Sequence, residues 1–143
     1  MYIQTNYRPT KAVIDLQAIA SNIRSLRGHL QPDVQIIAVV KANAYGHGDI
    51  EVAKAAIQAG ATMLAVATPD EAVHMRTNFP DIDILILGAT PPNFIPYASK
   101  ENITLTVFSA DWINSAKVYS PLVQSVKVHI KIDSGMGRIG VTT

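Results

Sequence analysis

Residues 36–48 read IIAVVKANAYGHG, and this stretch indicates the fold class of the chain. The first five residues are apolar and mostly β-branched, which is typical of a strand that is buried on both faces. Lys41 ends this strand, and a loop of small residues with two glycines follows it. A buried strand that passes through a short loop into a helical segment predicts a parallel sheet with crossover helices.

Further apolar runs of strand length occur along the chain, and amphipathic segments separate them. The predicted strands are residues 36–40, 63–67, 82–87, 103–107 and 126–132. The predicted helices are residues 15–30, 49–58, 69–79 and 111–119, with a weaker helix that opens at Pro91 and Pro92. Gly60 and Ser109 stand where a helix terminator and an N-cap are expected. The alternation predicts the α/β class, and residues 11–16 are a candidate for one extra strand.

The length of the chain is compatible with two architectures that are built from parallel strands. An eight-stranded barrel needs roughly 250 residues, whereas an open doubly wound sheet can be completed in a chain of this size. The 143-residue sequence reaches its last residue shortly after the fifth predicted strand, without a helix to cover that edge. We therefore expect a truncated sheet.

The amino-acid composition limits the kinds of molecule that this chain is expected to bind. Hydrophobic residues make up 48%, charged residues 16%, and the net charge is +1. No strongly basic surface for nucleic acid and no apolar segment of membrane-spanning length is expected, so a small molecule is the expected partner. Cysteine is absent, which fits a reducing compartment, and we expect a cytoplasmic location.

Lys41 is the first candidate for chemistry, because active sites of parallel α/β proteins lie at the carboxyl ends of strands. The small residues after it allow a ligand to approach the backbone closely. A lysine there can attach covalently to an aldehyde. The alternative is that Lys41 is simply the first solvated residue after a strand. His47 has no second histidine at ligand spacing, so no metal site is predicted.

A second motif, HIKIDSGMGRIG, occupies residues 129–140. Alternation places His129, Lys131 and Asp133 on one face of the last strand. Three polar residues on one face indicate either an exposed edge strand or the polar interior of a barrel. In a barrel the two motifs would converge at one site.

The two motifs KANAYGH (residues 41–47) and SGMGR (134–138), together with LAVATPDEA (64–72) and LTVFSADW (105–112), resemble the alanine racemase family over essentially the whole chain. The resemblance implies a partial (β/α)8 TIM barrel of about five βα units. It also implies that residues 1–143 are the amino-terminal portion of a barrel domain that binds pyridoxal 5′-phosphate, cut before a carboxyl-terminal β domain.

For the first motif, the resemblance implies that Lys41 holds pyridoxal 5′-phosphate covalently and is one of two opposed acid/base groups. Tyr45 would give its hydroxyl to the cofactor phosphate. For the second motif, Arg138 would donate to the phenolic oxygen of the cofactor. Lys131 would orient that arginine, in many relatives as a carbamylated lysine.

Two aliphatic positions, Val39 and Leu87, match places where the family lines its cofactor pocket, although both also fit an ordinary core. The implied activity is the interconversion of L- and D-alanine, which supplies D-alanine for peptidoglycan in the cell wall. The complete enzyme would be a homodimer whose partner subunit supplies the second acid/base group, so this chain alone is expected to lack full activity. A non-catalytic protein of pyridoxal-phosphate homeostasis and an inactive structural fragment remain as alternatives, and serine or a broad range of amino acids remains possible as substrate.

Overall fold

The computed structural model describes residues 9–142, and within them five strands form one parallel sheet in the order β1-β2-β3-β4-β5. The strands are β1 (Ile37–Val39), β2 (Met63–Val66), β3 (Asp83–Ile86), β4 (Ile103–Val107) and β5 (Val128–Ile130). Each strand therefore pairs with the next one along the chain. This is the strand order of a (β/α)8 barrel, whereas a doubly wound sheet reverses direction partway.

Helical segments connect the strands. They are α1 (Leu16–His29), α2 (Lys41–Gly46), α3 (Asp49–Gln58), α4 (Pro69–Asn78), α5 (Ile95–Lys100) and α6 (Ala110–Ala116), with 3₁₀ turns at Pro92–Phe94 and Lys117–Leu122. Between residues 9 and 142, no helix has both the length and the apolar character to cross a membrane. The α/β class and the partial barrel are confirmed. Residues 1–8 and 143 of the predicted domain lie outside the described residues.

The sheet buries one face under the helices and turns the other toward the barrel interior. Alternate residues of β2, β3 and β4, such as Leu64, Ile84 and Leu105, are fully buried in the helix-facing core. Thr106 occupies the opposite face of β4 and pairs with His129 of β5. The interior face therefore carries the polar side chains of the last two strands.

The helix starts follow from local capping groups. Asp15 accepts hydrogen bonds from the backbone N–H groups of Gln17 and Ala18 at the start of α1. Thr68 and Glu71 form a capping box at the start of α4. Gly60, with φ of 111°, follows α3 as the sequence predicted.

Two predictions need correction. Residues 11–15 have no regular secondary structure and α1 begins at Leu16, so the extra strand at residues 11–16 is wrong. The predicted helix at 111–119 ends at Ala116 and continues as a 3₁₀ turn that contains Pro121, which cannot donate a helical hydrogen bond. The outer face of the fifth strand is open, because no helix within residues 9–142 covers it, and Ile130 is 70% exposed.

The segment α2 has an unusual backbone. Ala42, Asn43, Ala44 and Tyr45 all have φ between 49° and 55° and ψ between 34° and 50°, which makes the turn left-handed. Left-handed helical geometry costs an L-residue other than glycine about 1–2 kcal/mol. The sequence predicted a tight loop of small residues here but not its left-handed backbone.

Candidate functional site

Lys41 follows β1 at the carboxyl end of the sheet and lines two neighbouring cavities. The backbone N–H of Val40 donates to Ala65 O at 2.9 Å, which anchors the preceding residue to β2. A cavity of about 350 Å³ is lined by Lys41, Ala67, Leu87, Gly88, Ala89, Arg138 and Ile139. A second cavity of about 290 Å³ is lined by Lys41, Leu87 and Arg138 again, with Leu85, Thr106, His129, Ile130 and Lys131. The two sequence motifs therefore meet in space.

The charges around these cavities have one sign. Lys41 and Arg138 line both cavities and Lys131 lines the second, and the lining residues in the described part of the chain include no carboxylate. Such a concentration of cations in a concave surface raises the local potential and attracts anions. The aliphatic side chain of Leu87 contributes to both cavities. The arrangement suits an anionic ligand with an apolar body.

Arg138 belongs to a loop that Asp133 organises. The Asp133 carboxylate accepts hydrogen bonds from the backbone N–H groups of Gly135, Gly137 and Arg138 at 3.0, 3.1 and 3.0 Å. The bond from Gly135, followed by that from Gly137, lowers the pKa of Asp133 below its ordinary value of 3.8. An ionised Asp133 thus holds the backbone from which Arg138 extends.

We expect the conformation of this loop to depend on the ionisation of Asp133. The ionised form is favoured in the folded chain, so the stabilisation is present above the ordinary carboxyl pKa and is lost as the pH falls through the lowered pKa of Asp133. We expect the amide NMR signals of Gly135, Gly137 and Arg138 to shift together with a midpoint below 3.8.

The matched variants are Asp133→Asn, which should remove this transition, and Asp111→Asn, an exposed site that should leave it unchanged. A common midpoint at or above 3.8 would contradict the interpretation.

The remaining predicted site residues lie at different distances from the cavities. The ring centroid of Tyr45 is 5.8 Å from Lys41 Nζ, and Tyr45 is 62% exposed. Val39 is 40% exposed and lines neither cavity. The structure therefore brings together Lys41, Leu87, Lys131 and Arg138, places Tyr45 beside the lysine and leaves Val39 outside the lining. The roles of all six residues stay predictions.

Two further residues shape the site without having been singled out from the sequence. Glu71 accepts hydrogen bonds from the backbone N–H groups of Ala42 and Ala67, both at 2.7 Å. Gly88 approaches β2 so closely that a Cβ atom on it would lie 2.3 Å from Ala67 O. The pattern of Thr68 and Glu71 signals a capping box in the sequence, but nothing local indicates the contact with Ala42.

The chain matches the family model described as alanine racemase, N-terminal domain, over residues 14–143. It is 55% identical to the alanine racemase of Anoxybacillus flavithermus over 139 residues, which are 96% of this chain and 36% of that protein. The chain thus spans about a third of the length of this relative.

Solved structures agree with this match. The alanine racemase from E. faecalis superposes with a TM-score of 0.88 at 39% identity, over 98% of this chain and 38% of that chain. The alanine racemase from Bacillus anthracis with bound L-Ala-P gives a TM-score of 0.84 at 45% identity, over 90% of this chain and 33% of that chain. The chain therefore belongs to the alanine racemase family and falls within its N-terminal domain.

Proposed function

We propose that this chain supplies the lysine half of an alanine racemase active site, with pyridoxal 5′-phosphate held covalently by Lys41. The observation that carries the proposal is that Lys41 and Arg138 line both cavities at the carboxyl end of the sheet and that Lys131 lines the smaller one with them. Membership of the family supports the same reaction. We propose residues 1–143 as the amino-terminal portion of the barrel domain, with the rest of the enzyme outside this sequence.

The residues present fit this cofactor. Arg138 can donate to an oxygen of an anionic cofactor that carries a phosphate and a phenolic oxygen, and the Lys41 amine lines the same cavities for the aldehyde. Leu87 offers an aliphatic surface to a ring. The cavity of about 350 Å³ lies within the usual size range of small-molecule sites. When bound, pyridoxal phosphate acidifies the Cα proton of an amino acid by drawing electrons into its ring.

The chain's own residues would then position and move a proton. Lys41 would remove the Cα proton from one face of the amino acid or return it there. Arg138 would donate to the phenolic oxygen of the cofactor, with Lys131, carrying a carbamate, orienting it. The Tyr45 hydroxyl would contact the phosphate, and Val39 and Leu87 would flank the ring.

Racemisation also needs an acid/base group on the opposite face of Cα. We propose that the partner subunit of a homodimer supplies it, so this chain alone would exchange or racemise alanine poorly. Alanine is the proposed substrate, since the similar proteins are named alanine racemases and one of them holds L-Ala-P. We place the activity in the cytoplasm, where D-alanine is needed for peptidoglycan synthesis.

Covalent capture tests the proposal. The chain is mixed with pyridoxal 5′-phosphate, reduced with borohydride and digested, and the labelled lysine is identified by mass spectrometry. We expect a dominant label on Lys41, and in Lys41→Ala a loss of labelling of about tenfold or more, because Lys41 lines both cavities with an arginine that can hold the anionic reagent beside the amine.

The matched control is Lys54→Ala, which removes an exposed lysine that pairs with Glu51 at 3.0 Å. This variant should label as the parent chain does. Labelling spread evenly over surface lysines would overturn the assignment.

A further inference from the structure

We propose that Glu71 is a positioning residue for Lys41, because its carboxylate holds the left-handed turn α2 against the end of β2. The inference deepens the proposed function and rests on it only for the role of the lysine. The contacts themselves belong to the folded chain without any ligand. Glu71 would thus act through the backbone and need not touch the cofactor.

The Glu71 carboxylate connects the carboxyl ends of β1 and β2. Oε1 of Glu71 accepts from the N–H of Ala42, the residue directly after Lys41, and Oε2 accepts from the N–H of Ala67, directly after β2. Lys41 and Ala67 both line the cavity of about 350 Å³. One carboxylate therefore fixes two parts of the same cavity wall relative to each other.

Helix capping alone does not account for these contacts. The bonds that define the capping box, between Glu71 and Thr68, are both 3.3 Å long. The bonds to Ala42 and Ala67 are both 2.7 Å long, in the range of strong hydrogen bonds to an ionised acceptor. The shortest hydrogen bonds of the Glu71 side chain are therefore to residues outside α4.

The turn needs such a support because its backbone conformation is unfavourable. Within the turn, the N–H of Ala44 donates to Val40 O at 2.9 Å, and the N–H of Gly48 donates to Asn43 O at 3.0 Å. The N–H of Ala42 donates to Glu71 instead. Releasing it would let Ala42 return to the right-handed or extended region and would rotate the adjacent Lys41 away from the cavity.

Only a carboxylate presents two acceptor oxygens to these two donors. Glutamine keeps the length of the side chain but would place an NH₂ group against one of the two N–H groups. Aspartate keeps the charge but is one methylene too short to reach both. Glu71→Gln therefore breaks the bridge with little change in volume, and Glu71→Asp breaks it with no change in charge.

The matched control is Asp70→Asn. Asp70 lies next to Glu71 in the first turn of α4, is exposed and shares the favourable interaction with the helix dipole. The control removes the same charge from the same helix end without touching the bridge.

The first readout needs no cofactor. Hydrogen exchange of the Ala42 and Ala67 amides is followed by NMR in the 143-residue chain. We expect Glu71→Gln and Glu71→Asp to accelerate exchange at Ala42 by about tenfold or more, as expected for loss of a hydrogen bond to a charged acceptor. Asp70→Asn should change it by less than about twofold. Unchanged exchange at Ala42 in both Glu71 variants would overturn the proposal.

The second readout is the rate of borohydride-trapped labelling at Lys41. We expect a decrease of about tenfold in Glu71→Gln and no comparable decrease in Asp70→Asn. If exchange at Ala42 accelerates and labelling keeps its rate, Glu71 is a structural cap only and the positioning role is wrong. If the parent chain itself shows no label at Lys41, the proposed function fails, and exchange at Ala42 still decides whether Glu71 holds the turn.

Discussion

Replacing Arg76 with methionine is expected to lower the free energy of unfolding by about 3–4 kcal/mol, a large share of the stability of a small domain. Arg76 is only 8% exposed, and its guanidinium donates to four backbone carbonyls. The acceptors are Glu101 O, Phe79 O, Pro80 O and Asn102 O, at 3.0, 2.9, 2.7 and 3.3 Å. Methionine fills part of the volume but leaves these oxygens without a donor, which carries the desolvation cost of each.

Urea unfolding, followed by circular dichroism, measures this effect. Arg76→Lys should recover only a small part of the loss, because an ammonium cannot reach carbonyls on two separate chain segments as a planar fork does. Arg24→Met removes an exposed arginine of α1 and should change the stability by less than about 0.5 kcal/mol. A loss below about 1 kcal/mol for Arg76→Met would show that water satisfies the carbonyls instead.

Gly88→Ala is expected to destabilise the chain by about 1–3 kcal/mol and to weaken cofactor capture at Lys41. The added Cβ would lie 2.3 Å from Ala67 O, a backbone atom that no rotamer change can move. The ends of β2 and β3 would have to separate. Because Ala67 and Gly88 line the same cavity as Lys41, the displacement would reach the site directly.

Gly28→Ala is the control variant, and its expected change in stability has the opposite sign. A Cβ on Gly28, within α1, would meet nothing within 4 Å, so alanine should stabilise the helix by about 0.5–1 kcal/mol. Both variants are compared by urea unfolding and by the yield of reduced label at Lys41. Equal stability of Gly88→Ala and the parent chain would mean that β2 and β3 move apart without cost, contrary to the prediction.

The sheet and most helices were predictable because their signals are local. The segment α3 has the predicted bounds, since its apolar pattern runs to Ile57 and Gly60 supplies the positive φ after the helix. The five strands appear where short apolar runs predicted them, with ends that differ by a few residues. The fifth strand is apolar yet exposed, because burial depends on a covering helix and not on the apolar character of Ile130.

The site was predictable in part for a similar reason. The carboxyl ends of parallel strands lie at one edge, so Lys41 and Arg138 were expected to converge, and they line common cavities. The left-handed backbone of Ala42 and Asn43 was not predicted, because alanine favours right-handed helix. Its stabilising partner, Glu71, lies 29 residues further along the chain, where a local pattern explains it as a cap.

Because Glu71 comes 29 residues after Ala42, the turn that holds Lys41 is synthesised before the residue that stabilises it. Residue 42 leaves the ribosome well before residue 71, and until then the segment around Lys41 has only its own preference, which is for right-handed or extended backbone. The lysine can take its final place only after β2 and the first turn of α4 have been made and have packed. A synthetic peptide of residues 36–48 would therefore have the sequence of the motif but not its left-handed backbone conformation.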